Sequence, residues 1–95
     1  MTMKLFPKHL CDRIPPLYAT EEDRDPIVWV KLFHPLSSWT WYVIEYDGDD
    51  LCFGLVDGYE KELGYFSLSE LSQPVRGYGV ERDRAFRPCK LSAVD

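Results

Sequence analysis

Ninety-five residues carry 45% hydrophobic, 28% charged and 15% aromatic side chains, with a formal net charge of −5. That balance argues against disorder, and no apolar run nears the roughly 20 residues that span a bilayer. The acidity argues against direct nucleic-acid binding, which rests on cationic contacts to phosphate, and the length fits one domain over residues 1–95.

The first residues lack the apolar stretch and cleavage site of a secretory signal. Cys11, Cys52 and Cys89 are widely spaced and odd in number, so they do not read as a disulfide framework. A soluble protein of the reducing cytoplasm is expected. The charge is uneven. Through residue 74, thirteen acids face six bases; from Val75 onward, five bases (Arg76, Arg82, Arg84, Arg87, Lys90) meet three acids.

Pro7 suits the first turn of a short helix, with Phe6, Leu10 and Ile14 on one face and Pro15-Pro16 as the stop. Tyr18 to Pro26 is polar and acidic, a loop. Ile27 to Phe33 is β-branched and aromatic with both alternating faces largely apolar, which predicts a strand inside the sheet.

Trp39 to Tyr46 and Leu51 to Asp57 read as a hairpin around Asp47-Gly48-Asp49-Asp50, where glycine accepts the positive φ of a tight turn. Strict alternation puts Trp41 and Val43 with Cys52, Gly54 and Val56 on one face, and Gly54 near Trp41. It puts Tyr42, Ile44 and Tyr46 with Leu51, Phe53 and Leu55 on the other.

Tyr59 to Glu62 reads as an acidic linker and Leu63 to Phe66 as a short strand. Ser67-Leu68-Ser69-Glu70 has capping-box spacing, and Pro74 closes that helix. Gly77 and Gly79 suggest a turn, and Val80 to Phe86 a last strand. The expected fold is α+β: an antiparallel sheet of four to five strands with two short helices.

Ile14-Pro15-Pro16-Leu17-Tyr18, Asp25-Pro26-Ile27-Val28 and Trp39-Thr40-Trp41-Tyr42 occur here together. With them stand Glu62-Leu63-Gly64-Tyr65-Phe66-Ser67-Leu68-Ser69-Glu70-Leu71 and Glu81-Arg82-Asp83. In these strings the chain resembles the bacterial family numbered 2958 among the domains of unknown function, over nearly its whole length. The resemblance implies a product of plasmids, integrative elements or phages, whose small proteins commonly serve transfer, maintenance or antagonism of host defence. It brings no catalytic residues with it.

The sharpest chemical feature is the run Glu45, Asp47, Asp49, Asp50, Asp57, Glu60 and Glu62. It reads as a recognition surface for a protein with a basic surface, or as a solvated hairpin tip and linker. Asp57, Glu60 and Glu62 could also gather a hard divalent cation, the basis of an alternative reading as a small metal-dependent hydrolase. A structural subunit of a plasmid transfer or maintenance assembly is a third reading.

His9, Cys11, Cys52 and Cys89 lack zinc-ligand spacing. No nucleophile, phosphate-loop or zinc-protease motif is present. Trp29, Trp39 and Trp41 read as core, and Arg82, Arg84 and Arg87 as local partners of Glu81 and Asp83 or of the acidic body. The expectation is therefore a non-enzymatic accessory protein of a mobile element, without cofactor, that binds another protein. Its most concrete form is an acidic inhibitor of a host defence complex, of the anti-CRISPR or anti-restriction type.

Overall fold

The computed structural model describes residues 5–94. A single-turn helix, α1 (Lys8–Cys11), starts after Pro7 and ends four residues before Pro15. Its flanking residues Phe6 and Ile14 are buried as the spacing predicts. After the loop, the apolar run forms two strands rather than one: β1 (Ile27–Val28) and β2 (Val30–Phe33). The break falls at Trp29, whose N–H donates to the Val43 carbonyl at 2.8 Å.

The hairpin strands are β3 (Thr40–Tyr46) and β4 (Leu51–Asp57). The next strand, β5 (Lys61–Ser67), takes in half of the expected acidic linker. Helix α2 (Leu68–Leu71) follows directly. Ser67 caps it by accepting the Glu70 N–H at 3.3 Å, which bears out the first half of the capping-box reading. The last expected strand shrinks to β6 (Glu81–Arg82), and a seventh, β7 (Cys89–Lys90), runs into a 3-10 turn at Leu91–Ala93.

Five strands form an antiparallel sheet in the order β5-β4-β3-β2-β6, and β1 pairs with β7 in a separate two-stranded ribbon. The α+β expectation therefore holds, with the ribbon as an addition. Strand β2 is interior, between β3 and β6: Val30 and Leu32 are buried on one face, and the other carries Phe33 and the half-buried Lys31.

One sheet face carries the larger core: Phe6, Ile14, Val30, Leu32, Trp41, Val43, Cys52, Phe66 and Val80, with Leu68 of α2. Trp29 and Trp39 pack against it partly buried. The other face buries Val28, Tyr42 and Ile44 beneath Leu55, Phe86, Leu91 and Val94. Among the described residues no helix is long and apolar enough to cross a membrane.

The register of β3 breaks between Val43 and Glu45: Val43 stands opposite Gly54 and Glu45 opposite Phe53, leaving Ile44 as an extra residue. A β-bulge of this kind shifts every later side chain to the opposite face. Strict alternation therefore misplaces two residues. Tyr46 moves to the Cys52 side, edge-on to Phe6 with ring centroids 5.0 Å apart. Burial there pushes its phenol up to about 12.

Glu45 moves to the Phe53 side. The same bulge explains Gly54, which faces Val43 rather than Trp41: a Cβ there would lie 1.8 Å from the Tyr42 carbonyl oxygen. Backbone, and not a covering ring, demands glycine at this position.

Candidate functional site

The seven carboxylates singled out in the sequence do not share a surface. Glu45 is 2% exposed. Its carboxylate accepts the N–H of Tyr18 at 2.8 Å, the N–H of Thr20 at 2.9 Å, and the Thr20 hydroxyl. It pins the loop after Pro16 to the sheet, including Tyr18, which sits in the left-handed region at φ 72°.

Asp47 and Asp50 are also engaged by their own chain. Asp47 accepts N–H groups from Asp49 and Asp50 at 2.8 Å and from Leu51 at 3.1 Å. Partial burial raises its pKa, but these three donors outweigh that and hold it below the usual aspartate value. Asp50 accepts the Ser67 hydroxyl, the Ser69 N–H at 2.7 Å and the Ser69 hydroxyl at 2.9 Å. These bonds, the Ser67 hydroxyl foremost, depress its pKa too. Asp49 stands exposed at the tip.

The remaining three acids lie at the far end of the hairpin, roughly 20 Å away along a seven-residue strand. Asp57 faces Lys61 across the β4–β5 pair, and Glu62 faces Val56. Adjacent residues of a strand point to opposite faces, so Asp57 and Glu62 flank the sheet instead of converging. Glu60 is exposed in the turn between them. Among the described residues no three His, Cys, Asp or Glu side chains gather to hold a metal ion. The cation pocket imagined at Asp57, Glu60 and Glu62 is not formed.

A different feature stands out, and the sequence reading missed it. Strand β5 is an edge: among the described strands only β4 pairs with it. It runs seven residues without a bulge, and its charges, Lys61 and Glu62, are confined to its start. Edge strands present unpaired N–H and C=O groups and are usually blunted by charge, proline or a bulge.

Here the middle of the edge carries Leu63 and Tyr65, each about half exposed (54% and 50%). Tyr65 leans on Phe53 at 5.0 Å and faces Tyr18 at 6.4 Å. A cavity of about 320 Å³ opens beside it, lined by Tyr18, Thr20, Glu21, Arg24, Leu63 and Tyr65 among others.

A second depression, about 430 Å³, is lined by Trp39, Val56, Tyr59, Glu60, Glu62 and Gly64. It lies on the Val56 face, because Gly64 pairs with Gly54 and Glu62 with Val56. Tyr59 is 94% exposed and stands edge-on to Trp39 at 5.3 Å. The open edge thus has an aromatic hollow above it and another below. Alternation over Lys61 to Ser67 was the available signal, muted because Gly64 carries no side chain.

The fold and this edge define a small α+β domain with an unpaired, aromatic-flanked strand. The chain belongs to the family described as "Protein of unknown function (DUF2958)", which it matches over residues 10–93. No curated protein and no solved structure matches it.

Proposed function

We propose that this chain is a non-enzymatic protein-binding module that captures an extended, basic segment of a partner protein along the β5 edge. The carrying observation is the unpaired seven-residue strand with an aromatic hollow on each face. An added strand gains main-chain hydrogen bonds along its whole length, and its alternate side chains fall on alternate faces. One set would enter the Tyr18–Tyr65 hollow and the other the Trp39–Tyr59 hollow.

Charge favours a basic occupant. Asp57, Glu60 and Glu62 surround one end of the edge against Lys61, and Glu21 and Asp23 border the first hollow against Arg24. A second copy of this chain is disfavoured by the same charge, because two acidic edges would meet. The wider setting is an accessory role for a mobile genetic element, with a host protein as target and inhibition of a defence complex as its purpose. The seven acids do not act together as one recognition surface in this reading, since they divide between a buried position and two ends of the hairpin.

Affinity capture with purified variants tests the edge. Leu63→Glu with Tyr65→Glu should abolish capture of any host protein retained by the native chain. Asp49→Lys, at the opposite end, should leave it intact. In the captured complex, the amides of residues 61–67 should gain protection from hydrogen exchange. Equal capture by the edge variant, or loss in Asp49→Lys alone, overturns the reading. So does a β5-dependent dimer of this chain.

A further inference from the structure

At the other edge of the sheet, four strands from β5, a cavity of about 230 Å³ lies between α1, Trp29 and the β6–β7 connection. Arg13, Arg82, Arg84 and Arg87 line it, with His9 at its rim. The acid among its lining residues, Asp83, is already occupied: it pairs with Lys31 at 3.8 Å and accepts the Ala85 N–H at 2.9 Å.

The local pairing expected from the interleaved sequence does not form. Among the described residues none of these four arginines has a carboxylate within ion-pair distance. The Arg82 Nε is buried with no hydrogen-bond partner. A buried donor left unpaired is costly, and four guanidinium groups around one hollow, three of them on exposed side chains, make it a strongly positive spot on an acidic protein. The Arg13 guanidinium lies 5.6 Å from the centre of the Trp29 ring, which fixes one wall by a cation–π contact.

We propose that this cleft binds a small phosphate monoester, its phosphate held by Arg82, Arg84 and Arg87 beside the Arg13–Trp29 stack. Guanidinium matches phosphate oxygens in bidentate fashion and stays charged at all physiological pH values. The cavity lies below the usual range for drug-sized ligands, which suits one phosphate and a short apolar or sugar body. The net charge of −5 disfavours a long polyanion, which would run from the cleft onto acidic surface. This site is independent of the β5 edge.

Titration of isotope-labelled protein followed by NMR tests it, with AMP, glycerol phosphate, inorganic phosphate and a short oligothymidylate as probes. AMP or glycerol phosphate should shift the Trp29 indole and Arg82 Nε–H signals saturably at one per chain. Arg84→Glu with Arg87→Glu, both on exposed side chains, should weaken that binding at least about tenfold. The variant's unchanged amide spectrum away from the cleft would show that it folds.

Failure of both monoesters to bind, or equal affinity in the double variant, overturns the proposal. Binding of inorganic phosphate alone overturns it as well. Tighter binding of the oligothymidylate than of AMP would make this a strand-binding site instead. Leu63→Glu with Tyr65→Glu should leave the titration unchanged, so failure at one edge is distinguishable from failure at the other.

Discussion

The Glu45 carboxylate accepts the Tyr18 backbone N–H at 2.8 Å across twenty-seven residues of chain. A second oxygen takes the N–H and hydroxyl of Thr20. The most buried acid of the described residues is thus a fastener, and it holds Tyr18 in the conformation that walls one hollow of the β5 edge.

Glu45→Ala should destabilise the fold by about 2–3 kcal/mol, because it strands the Tyr18 and Thr20 donors. Glu45→Gln should cost about half as much, since its amide oxygen can serve one donor while its NH₂ group faces another. Urea unfolding followed by tryptophan fluorescence measures both. If Glu45→Ala unfolds at the native midpoint, the fastening role is wrong.

Two glycines that face each other across β4 and β5 should respond oppositely. A Cβ at Gly54 meets the Tyr42 carbonyl oxygen at 1.8 Å, whereas one at Gly64 meets nothing within 4 Å. Gly54→Ala should therefore cost more than about 2 kcal/mol, and Gly64→Ala should fall within about 0.5 kcal/mol of the native chain. Thermal melts of the two variants give the comparison directly.

Acid should loosen the hairpin tip before the core. Asp50 and Asp47 have pKa values below the usual 3.8 in the folded chain. Such groups stabilise the fold fully above their unfolded pKa, and that contribution is lost as pH falls through the lower folded value. Urea midpoints should be flat above about pH 5 and decline below about pH 4, where the unfolded state takes up more protons. Asp50→Asn should lower the plateau by about 1 kcal/mol and flatten the decline.

The three thiols should separate by accessibility. Cys52 is fully buried, and desolvation raises its pKa far above that of a free thiol. Cys11 is raised more modestly, by burial and by neighbouring Asp12, and its thiol donates to the Phe6 carbonyl at 3.3 Å. Alkylation of native protein should modify Cys11 and Cys89 and spare Cys52, which should label only at the rate of unfolding. Prompt reaction of all three would contradict the packing at Cys52.

The hairpin, the helix after Ser67 and the interior strand were legible because each carries its own local signal. Asp47-Gly48 marks the turn, Ser67 the cap, and the β-branched and aromatic run the burial of β2. The split at Trp29 was hidden, since β1 and β2 have one composition and differ only in which distant strand completes them. Strand β7 was hidden for the same reason: two residues carry no period.

The bulge at Ile44 has the largest effect on where the acids fall. It turned Glu45 from a supposed surface charge into a buried one and left the acidic run without its anchor. Nothing local marks an extra residue in Val43-Ile44-Glu45. It shows only through Gly54, where β3 presses too close for a side chain. Acids beside the arginines after Val80 suggest local pairs, or pairs with the acidic body, yet Glu81 and Arg82 are neighbours on a strand and point to opposite faces.

Ribbon β1–β7 joins Ile27 to Lys90, and Ser92 donates through both its N–H and its hydroxyl to Asp25. Closing so long a loop costs more entropy than closing the short turns of the β3–β4–β5 meander. The meander should therefore organise early in folding and the ribbon last. Destabilising changes near Asp25 or Ser92 should hasten unfolding and leave the refolding rate nearly untouched.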